Sequence, residues 1–191
     1  MTSGLKAFLI SLLLLVTAVP ARTDWDLQSL SRALAGQTDA RVDFREERRV
    51  AYLTENLLLS GYVVRKGDRL EKHVLEPITE SFVIDGDQVE VETAQGEYYR
   101  LDLDDHPMLK GLALALRAGL SGDFTNLDDT FDMHQTGDAA HWTLHLVPHK
   151  DQLRAELREV TLSGIGGNID RIRIEGVNGD TSEMKMGPAE Q

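Results

Sequence analysis

The sequence predicts a mainly β chain with a few helices (α+β), folded as a half-open antiparallel β-barrel of about eleven strands with a helical lid or plug. Two observations favour this fold. Short segments rich in Val, Ile, Tyr and Phe alternate with turn residues along most of the chain, as in strands joined by hairpins. One long apolar segment with helical spacing interrupts them at residues 109–120.

The strand-like segments end at turn residues. Gly-Asp pairs at Gly67-Asp68, Gly86-Asp87, Gly137-Asp138 and Gly179-Asp180 favour hairpins, because glycine adopts positive φ at no steric cost and aspartate bonds to the local backbone. The predicted strands cover residues 41–45, 57–66, 70–75, 80–85, 88–93, 97–103, 130–135, 141–147, 156–164, 169–176 and 181–186.

Two helices are predicted. The first covers residues 24–36, where leucines recur at helical spacing and Thr23 or Asp24 can cap the first turn. The second begins near Pro107, a residue suited to a first helical turn, and is more apolar than a surface helix needs to be. Residues 150–155 can add one further helical turn. The leucines on one face of the second helix are Leu109, Leu112, Leu116 and Leu120.

An antiparallel sheet of this length has to hide one face. A closed barrel and a half-open barrel plugged by helices both do so, and the two helices favour the second arrangement. A sheet that wraps around helices leaves a concave apolar interior, and such cavities hold apolar ligands.

The N-terminus has the layout of a secretory signal peptide. Lys6 precedes an apolar run over residues 7–19, and Val19-Pro20-Ala21 supplies small residues before a cleavage site. We therefore predict a signal peptide over residues 1–21, cleaved near Ala21, and one domain over residues 22–191. The chain is therefore expected to be exported. An uncleaved N-terminal anchor is the alternative.

Composition limits the possible partners. The chain has 191 residues, no cysteine and a formal net charge of −12 at pH 7. A strongly acidic surface repels phosphates, so nucleic acid is not an expected partner. Without cysteine, neither disulfides nor an N-terminal lipid anchor is expected. The expected state is a monomer.

The titratable residues form no recognisable catalytic or metal motif. His141, His145 and His149 share one face of a predicted strand, but four residues of strand span about 13 Å, too far for one ion. The acidic cluster of Asp102, Asp104 and Asp105 lacks the glycine and distal glutamate of a calcium loop. No catalytic residue, metal site, cofactor or enzymatic activity is therefore predicted.

Several weak motifs occur in a specific order. They are Val42-Asp-Phe44, Leu59-Ser-Gly61-Tyr-Val-Val-Arg-Lys66, Phe82-Val-Ile-Asp-Gly-Asp87, Trp142-Thr-Leu-His-Leu-Val-Pro148, Ile172-Arg-Ile and Gly179-Asp-Thr181. In this order, the chain resembles the LolA-like periplasmic outer-membrane lipoprotein carriers from about Leu27 to Met186. The resemblance implies a cavity that accepts acyl chains, an inner-membrane loading complex and an outer-membrane acceptor.

The resemblance leaves the cargo open. Alternatives are a lipid-sensing or regulatory envelope protein of the same fold, and a carrier dedicated to a glycolipid or an aryl-polyene product. The family pattern has Lys-Arg-Pro in the second strand, with the arginine contacting the lid. Counted from Gly61, that arginine's position falls on Lys66, so the predicted latch is a lysine.

Strand alternation gives a predicted ligand-binding set. The cavity residues are Phe44, Leu58, Tyr62, Val64, Lys66, Phe82, Ile84, Trp142, Leu144, Leu146, Ile172 and Ile174. The predicted lid residues are Leu109, Leu112, Leu116 and Leu120. The alternative for each residue is an ordinary place in the core.

Overall fold

Eleven antiparallel strands form a single sheet in the computed structural model, which describes residues 25–36 and 40–187. The predicted signal peptide lies outside the described residues. The strands are β1 (Ala40–Arg49), β2 (Leu57–Lys66), β3 (Arg69–Glu76), β4 (Glu80–Asp85), β5 (Gln88–Glu92), β6 (Tyr98–Asp102), β7 (Phe131–Gly137), β8 (Trp142–Pro148), β9 (Leu157–Ile165), β10 (Asn168–Gly176) and β11 (Thr181–Met186). Their spatial order is β6-β5-β4-β3-β2-β1-β11-β10-β9-β8-β7. The predicted mainly β fold with an unclosed sheet of eleven strands is confirmed.

Three α-helices accompany the sheet in the described residues: α1 (Leu27–Ala35), α2 (Pro107–Ser121) and α3 (Asp151–Arg154). The cap of α1 is Asp26, whose Oδ1 accepts a hydrogen bond of 2.8 Å from the Ser29 amide. The prediction that Thr23 or Asp24 caps this helix is therefore wrong. Both residues lie outside the described ranges.

The contacts of α2 show that the sheet curves. Arg117 donates to the Gly86 carbonyl at the β4–β5 turn, and Gly119 packs against Leu162 of β9. In a flat sheet these two contacts would lie about 30 Å apart, since neighbouring strands are about 4.8 Å apart. A helix about 10 Å wide reaches both only if the sheet wraps around it. We call the side that faces the helices the concave face.

The register assigns residues to the concave face. Phe44 is 2% exposed and lies directly opposite Gly61 in β2 and Met186 in β11. Because directly opposed residues of antiparallel strands point to the same side, alternate residues from each of these positions belong to the concave face. The main core lies there, between the sheet and helices α1 and α2.

Small residues allow α2 to pack closely against its neighbours. Its fully buried positions are Gly111, Ala113, Ala115, Ala118 and Gly119, whereas its leucines are half-buried. A Cβ at Gly111 would lie 2.7 Å from Leu153 of α3, and one at Gly119 would lie 2.5 Å from Leu162. The helix backbone therefore approaches α3 and β9 closely. No helix in the described ranges has both the length and the hydropathy that crossing a bilayer requires.

Candidate ligand cavity

A cavity of about 500 Å³ lies between α2 and the concave face of β1, β10 and β11. Its apolar wall comes from both sides: α2 contributes Met108, Leu112 and Leu116, and the strands contribute Ile172, Ile174 and Met184. A volume of this size lies in the range of pockets that bury small ligands, roughly 300–1,000 Å³. The space between sheet and helix is therefore large enough for an apolar ligand.

A charged cluster forms part of the cavity wall. The Glu46 side chain is fully buried, and its Oε1 accepts hydrogen bonds from Arg48 Nε at 3.0 Å, Arg48 Nη2 at 2.9 Å and Ser182 Oγ at 2.8 Å. Its Oε2 accepts a short hydrogen bond from Lys72 Nζ. Lys72 and Arg48 are partly exposed, at 20% and 37% of their side chains, and both line the cavity. We call Glu46, Arg48, Lys72 and Ser182 the charged cluster.

Burial and charge act in opposite directions within the charged cluster. Burial favours the neutral acid at Glu46, but the positive charges of Lys72 and Arg48 outweigh it and hold the pKa of Glu46 below its ordinary value. For Lys72, burial outweighs the attraction of Glu46, so the pKa of this ammonium is lowered. The carboxylate is thus well compensated, whereas the lysine is only partly so.

The cavity extends to the end of the sheet that carries the β1–β2 and β10–β11 connections. Val50, Asn178 and Asp180 lie on these connections and line the cavity. Large apolar side chains are exposed around the same end: Tyr52, Leu53, Leu57, Leu58, Leu75, Ile78 and Val177. We call these seven residues the rim. Leu58 and Leu75 lie on the convex face of their strands, so these residues share an end of the sheet and not one face. Exposed apolar side chains that lie close together are typical of interaction surfaces.

The opposite end of α2 is tied to the sheet. Arg65 Nη1 donates a hydrogen bond of 2.5 Å to the Leu120 carbonyl in the last turn of the helix. A cation is favourable there, because the last carbonyls of a helix lack intrahelical partners and carry partial negative charge. The predicted latch at Lys66 is wrong. Arg65 lies opposite concave-face Leu70, and Lys66 points to the other side of β2.

The structure places four of the predicted residues in the cavity wall. Ile172 and Ile174 belong to the strand side, and Leu112 and Leu116 belong to the helix side. Of the other lid residues, Leu109 packs with Val89 and Leu103 in a smaller core. Leu120 lies beside Arg65 and Arg117 at the far end of the helix.

The alternation predicted for β2 is wrong. Gly61 lies opposite buried Phe44, so the concave face of β2 carries its odd-numbered residues. Tyr62 lies on the convex face, where it stacks on His73 with ring centroids 4.7 Å apart. The residues displaced from the predicted cavity wall by this register are Leu58, Tyr62, Val64 and Lys66.

Other predicted cavity residues face the concave side but are packed. Trp142, Leu144 and Leu146 are at most 1% exposed and belong to the main core, so their prediction as cavity wall is wrong. Phe44 is in the same core. The half-buried side chains of Phe82 and Ile84 pack against the main and smaller cores respectively. None of these six residues is among those that line the cavity.

Sequence reasoning missed the charged cluster and both methionines of the wall. The predicted first strand covers only residues 41–45, and a charged run follows it. Continuing the alternation from Val42 and Phe44 would have placed Glu46 and Arg48 on the concave face. The same rule applied between Leu70 and Val74 would have found Lys72.

Among the described residues, no three His, Asp or Glu side chains come together as a potential metal site. His145 Nδ1 instead makes a short contact with Glu159, and His149 Nδ1 lies 3.5 Å from Asp132 Oδ1. These histidines have carboxylate neighbours from adjacent strands or connections.

Comparison with solved structures gives matches of low sequence identity. A LolA superfamily protein from Nitrosomonas europaea is 14% identical with a TM-score of 0.46, over 85% of this chain and 90% of that one. A domain from Vibrio parahaemolyticus, described as an outer membrane lipoprotein-sorting protein, is 7% identical with a TM-score of 0.42, over 85% and 89%. MucB is 16% identical with a TM-score of 0.44, over 87% of this chain and 60% of that one.

Comparison with curated protein sequences gives no significant match. A family model described as outer membrane lipoprotein carrier protein LolA-like matches residues 17–191. That match includes every strand and helix of the described structure. The chain therefore belongs to the LolA-like family of outer membrane lipoprotein carrier proteins.

Proposed function

We propose that this protein is a periplasmic carrier that holds the acyl chains of a lipoprotein or another envelope lipid in the cavity beneath α2. The observation that carries the proposal is the open volume of about 500 Å³ between two apolar surfaces. Apolar surface removed from water contributes roughly 25 cal/mol per Å², so an acyl chain that enters this space gains affinity without any chemical step.

The arrangement of α2 supports a role as a lid. One side of the helix is seated on α3 and β9 through glycines, and its C-terminal turn is held by Arg65. Its larger side chains, Met108, Leu112 and Leu116, face the cavity. Unbranched and γ-branched side chains adapt to ligands of different shape more readily than β-branched ones.

The rim supports the proposed partners. An inner-membrane loading complex and an outer-membrane acceptor both need to meet the opening, because the acyl chain has to pass from one apolar site to the next without entering water. The rim lies at the end of the sheet to which the cavity extends, and its apolar side chains are exposed, Tyr52 at 86% and Leu58 at 70%. In this proposal, the exported chain acts as a monomer and its predicted signal peptide takes it to the periplasm.

A substitution that fills part of the cavity tests the proposed acyl-chain binding. In the variant Ile174→Trp, a larger side chain occupies the strand side of the cavity, and we expect binding of a fluorescent fatty-acid probe to weaken by about tenfold or more. The matched control is Ile165→Trp, because Ile165 is 50% exposed and does not line the cavity. Failure of the wild-type protein to bind the probe, or equal binding by both variants, would contradict an acyl-binding role for this cavity.

A further inference from the structure

The charged cluster lies in the wall of a cavity that is otherwise suited to an apolar ligand. Binding of an apolar ligand alone does not explain why charged side chains are there. Glu46 is 2% exposed, and its neighbours on the concave face include Phe44 and Met184. Taking charged groups out of water costs several kcal/mol per ion. A cluster placed in the wall of a cavity, between apolar surfaces, therefore suggests that it faces a ligand with a polar end.

The hydrogen-bond capacity of the cluster is unbalanced. Glu46 accepts four hydrogen bonds, three at Oε1 and one at Oε2. Lys72 has three donors and Arg48 has five, and in the described structure one from Lys72 and two from Arg48 are used on Glu46. Further acceptors for these two cations have to come from water or from a ligand.

The charge of the cluster is unbalanced in the same direction. Two cations share one buried anion, so the cluster carries a formal charge of +1 when all three groups are ionised. Other carboxylates lie around the cluster: Glu156 and Asp180 line the same cavity, and the charge of Glu80 acts on Lys72. Glu156 is exposed, and the carboxylate oxygens of Asp180 accept hydrogen bonds from the Ala51 amide and Asn178 Nδ2. An anion that binds in the cavity would find its charged hydrogen-bond donors on Lys72 and Arg48.

We propose that Lys72 and Arg48, held in place by Glu46, bind the anionic head of an amphiphilic ligand whose acyl chain occupies the cavity. The head is a carboxylate or a phosphate, since both are oxygen anions that accept charge-assisted hydrogen bonds from lysine and arginine. This inference rests on the proposed acyl-binding function and adds the chemical class of the head group. The partly uncompensated ammonium of Lys72 agrees with it, because burial lowers the pKa of this group in the unliganded protein.

Calorimetric titration with dodecanoate, dodecyl phosphate and dodecanol tests the inference. The three ligands share one tail and differ in the head. We expect one or both anionic ligands to bind about tenfold more tightly than dodecanol, a difference of about 1.4 kcal/mol. Equal binding of all three would overturn the head-group site and leave the carrier proposal intact. No binding of any of them would contradict the carrier proposal itself.

Two variants with opposite expected effects separate an anion site from a structural ion pair. Lys72→Met should remove the preference for the anionic ligands, and Glu46→Gln should strengthen it, because the competing internal anion is gone. The control Lys185→Met removes an exposed lysine that lies opposite Arg45 of β1 on the convex face, and it should change nothing. An ion pair with only a structural role would leave the preference for anions unchanged in Lys72→Met, which would overturn the inference.

Discussion

The two sides of the concave face use similar apolar residues, yet one side is filled and the other is open. On β8 and β9, Leu144, Leu146 and Leu162 are completely buried. On β10 and β11, Ile174 and Met184 line a cavity of about 500 Å³. The same helix covers both sides. Apolar content therefore does not decide which part of the sheet becomes core and which becomes a binding site.

The position of α2 explains the difference. Gly111 and Gly119 let the helix backbone approach Leu153 and Leu162, so the filled side is packed at close range. Toward β10 and β11 the helix presents larger side chains, Leu112 and Leu116, which reach into open space. Because the helix packs closely at its glycines on one side, a cavity remains between the helix and the sheet on the other side.

The largest expected effect comes from trimming one leucine on each side. Leu144→Ala should lower the free energy of unfolding by about 2–5 kcal/mol, because it leaves a cavity in a packed core. Leu112→Ala should cost under about 1.5 kcal/mol, because that half-buried side chain already borders open volume. Chemical denaturation of both variants measures the contrast. Equal losses would show that the two sides are equally packed.

A smaller effect is expected at the fixed end of the helix. Arg65→Met removes the hydrogen bond to the Leu120 carbonyl and should lower stability by about 1–2 kcal/mol while speeding release of a bound acyl probe. Lys66→Met is the matched control, since its side chain lies on the convex face. Stopped-flow dissociation measures release. Faster release from the Lys66 variant alone would show that Lys66, and not Arg65, holds the helix in place.

A smaller effect on stability is expected when the charged cluster is titrated with acid. Because the pKa of Glu46 is lowered in the folded protein, its ionised form adds stability above its ordinary value of 4.5, and this contribution is lost as the pH falls through the lowered value. The stability difference between wild type and Glu46→Gln should therefore shrink on acidification below 4.5. Denaturation at pH 7, 4 and 3 measures it. A difference that stays constant would show that the ionisation of Glu46 does not stabilise the fold.

The smallest effect on stability is expected at the rim. Leu58→Ser and Ile78→Ser change side chains that are 70% and 53% exposed, so the free energy of unfolding should change by no more than about 0.5 kcal/mol. Binding of a free acyl probe should also be unchanged. If partners dock at the rim, uptake of a fluorescent lipid from its physiological donor should slow in both variants. Unchanged uptake would place the docking surface elsewhere.

The sequence predicted the strands of the sheet well, but it predicted only some of the residues of the cavity wall. Strands end at glycine turns, such as those at Gly67 and Gly86, and these turns can be recognised from the local sequence. In β2, both alternations contain apolar residues, and the concave position opposite Phe44 is Gly61, which has no side chain to mark the face. The register therefore comes from the neighbouring strands, and it reverses the predicted placement of Tyr62 and Val64.

The charged cluster was harder to predict for a different reason. Glu46 and Lys72 come from strands that are not adjacent in the sheet, since β2 lies between β1 and β3. No spacing along the chain indicates such a contact. A polar residue on an alternating strand normally indicates the solvent side, and only the three-dimensional pairing shows that this one is compensated inside.

Methionine methyl NMR with a spin-labelled fatty acid tests the central claim most directly. Met108 and Met184 line the cavity, whereas Met133 lies on β7 and packs against the filled core. We predict that binding of the spin-labelled chain strongly broadens the methyl signals of Met108 and Met184 and leaves that of Met133 sharp, with a diamagnetic fatty acid as the control. Broadening of Met133 first, or no broadening at saturating ligand, would contradict an acyl chain held between α2 and β10–β11.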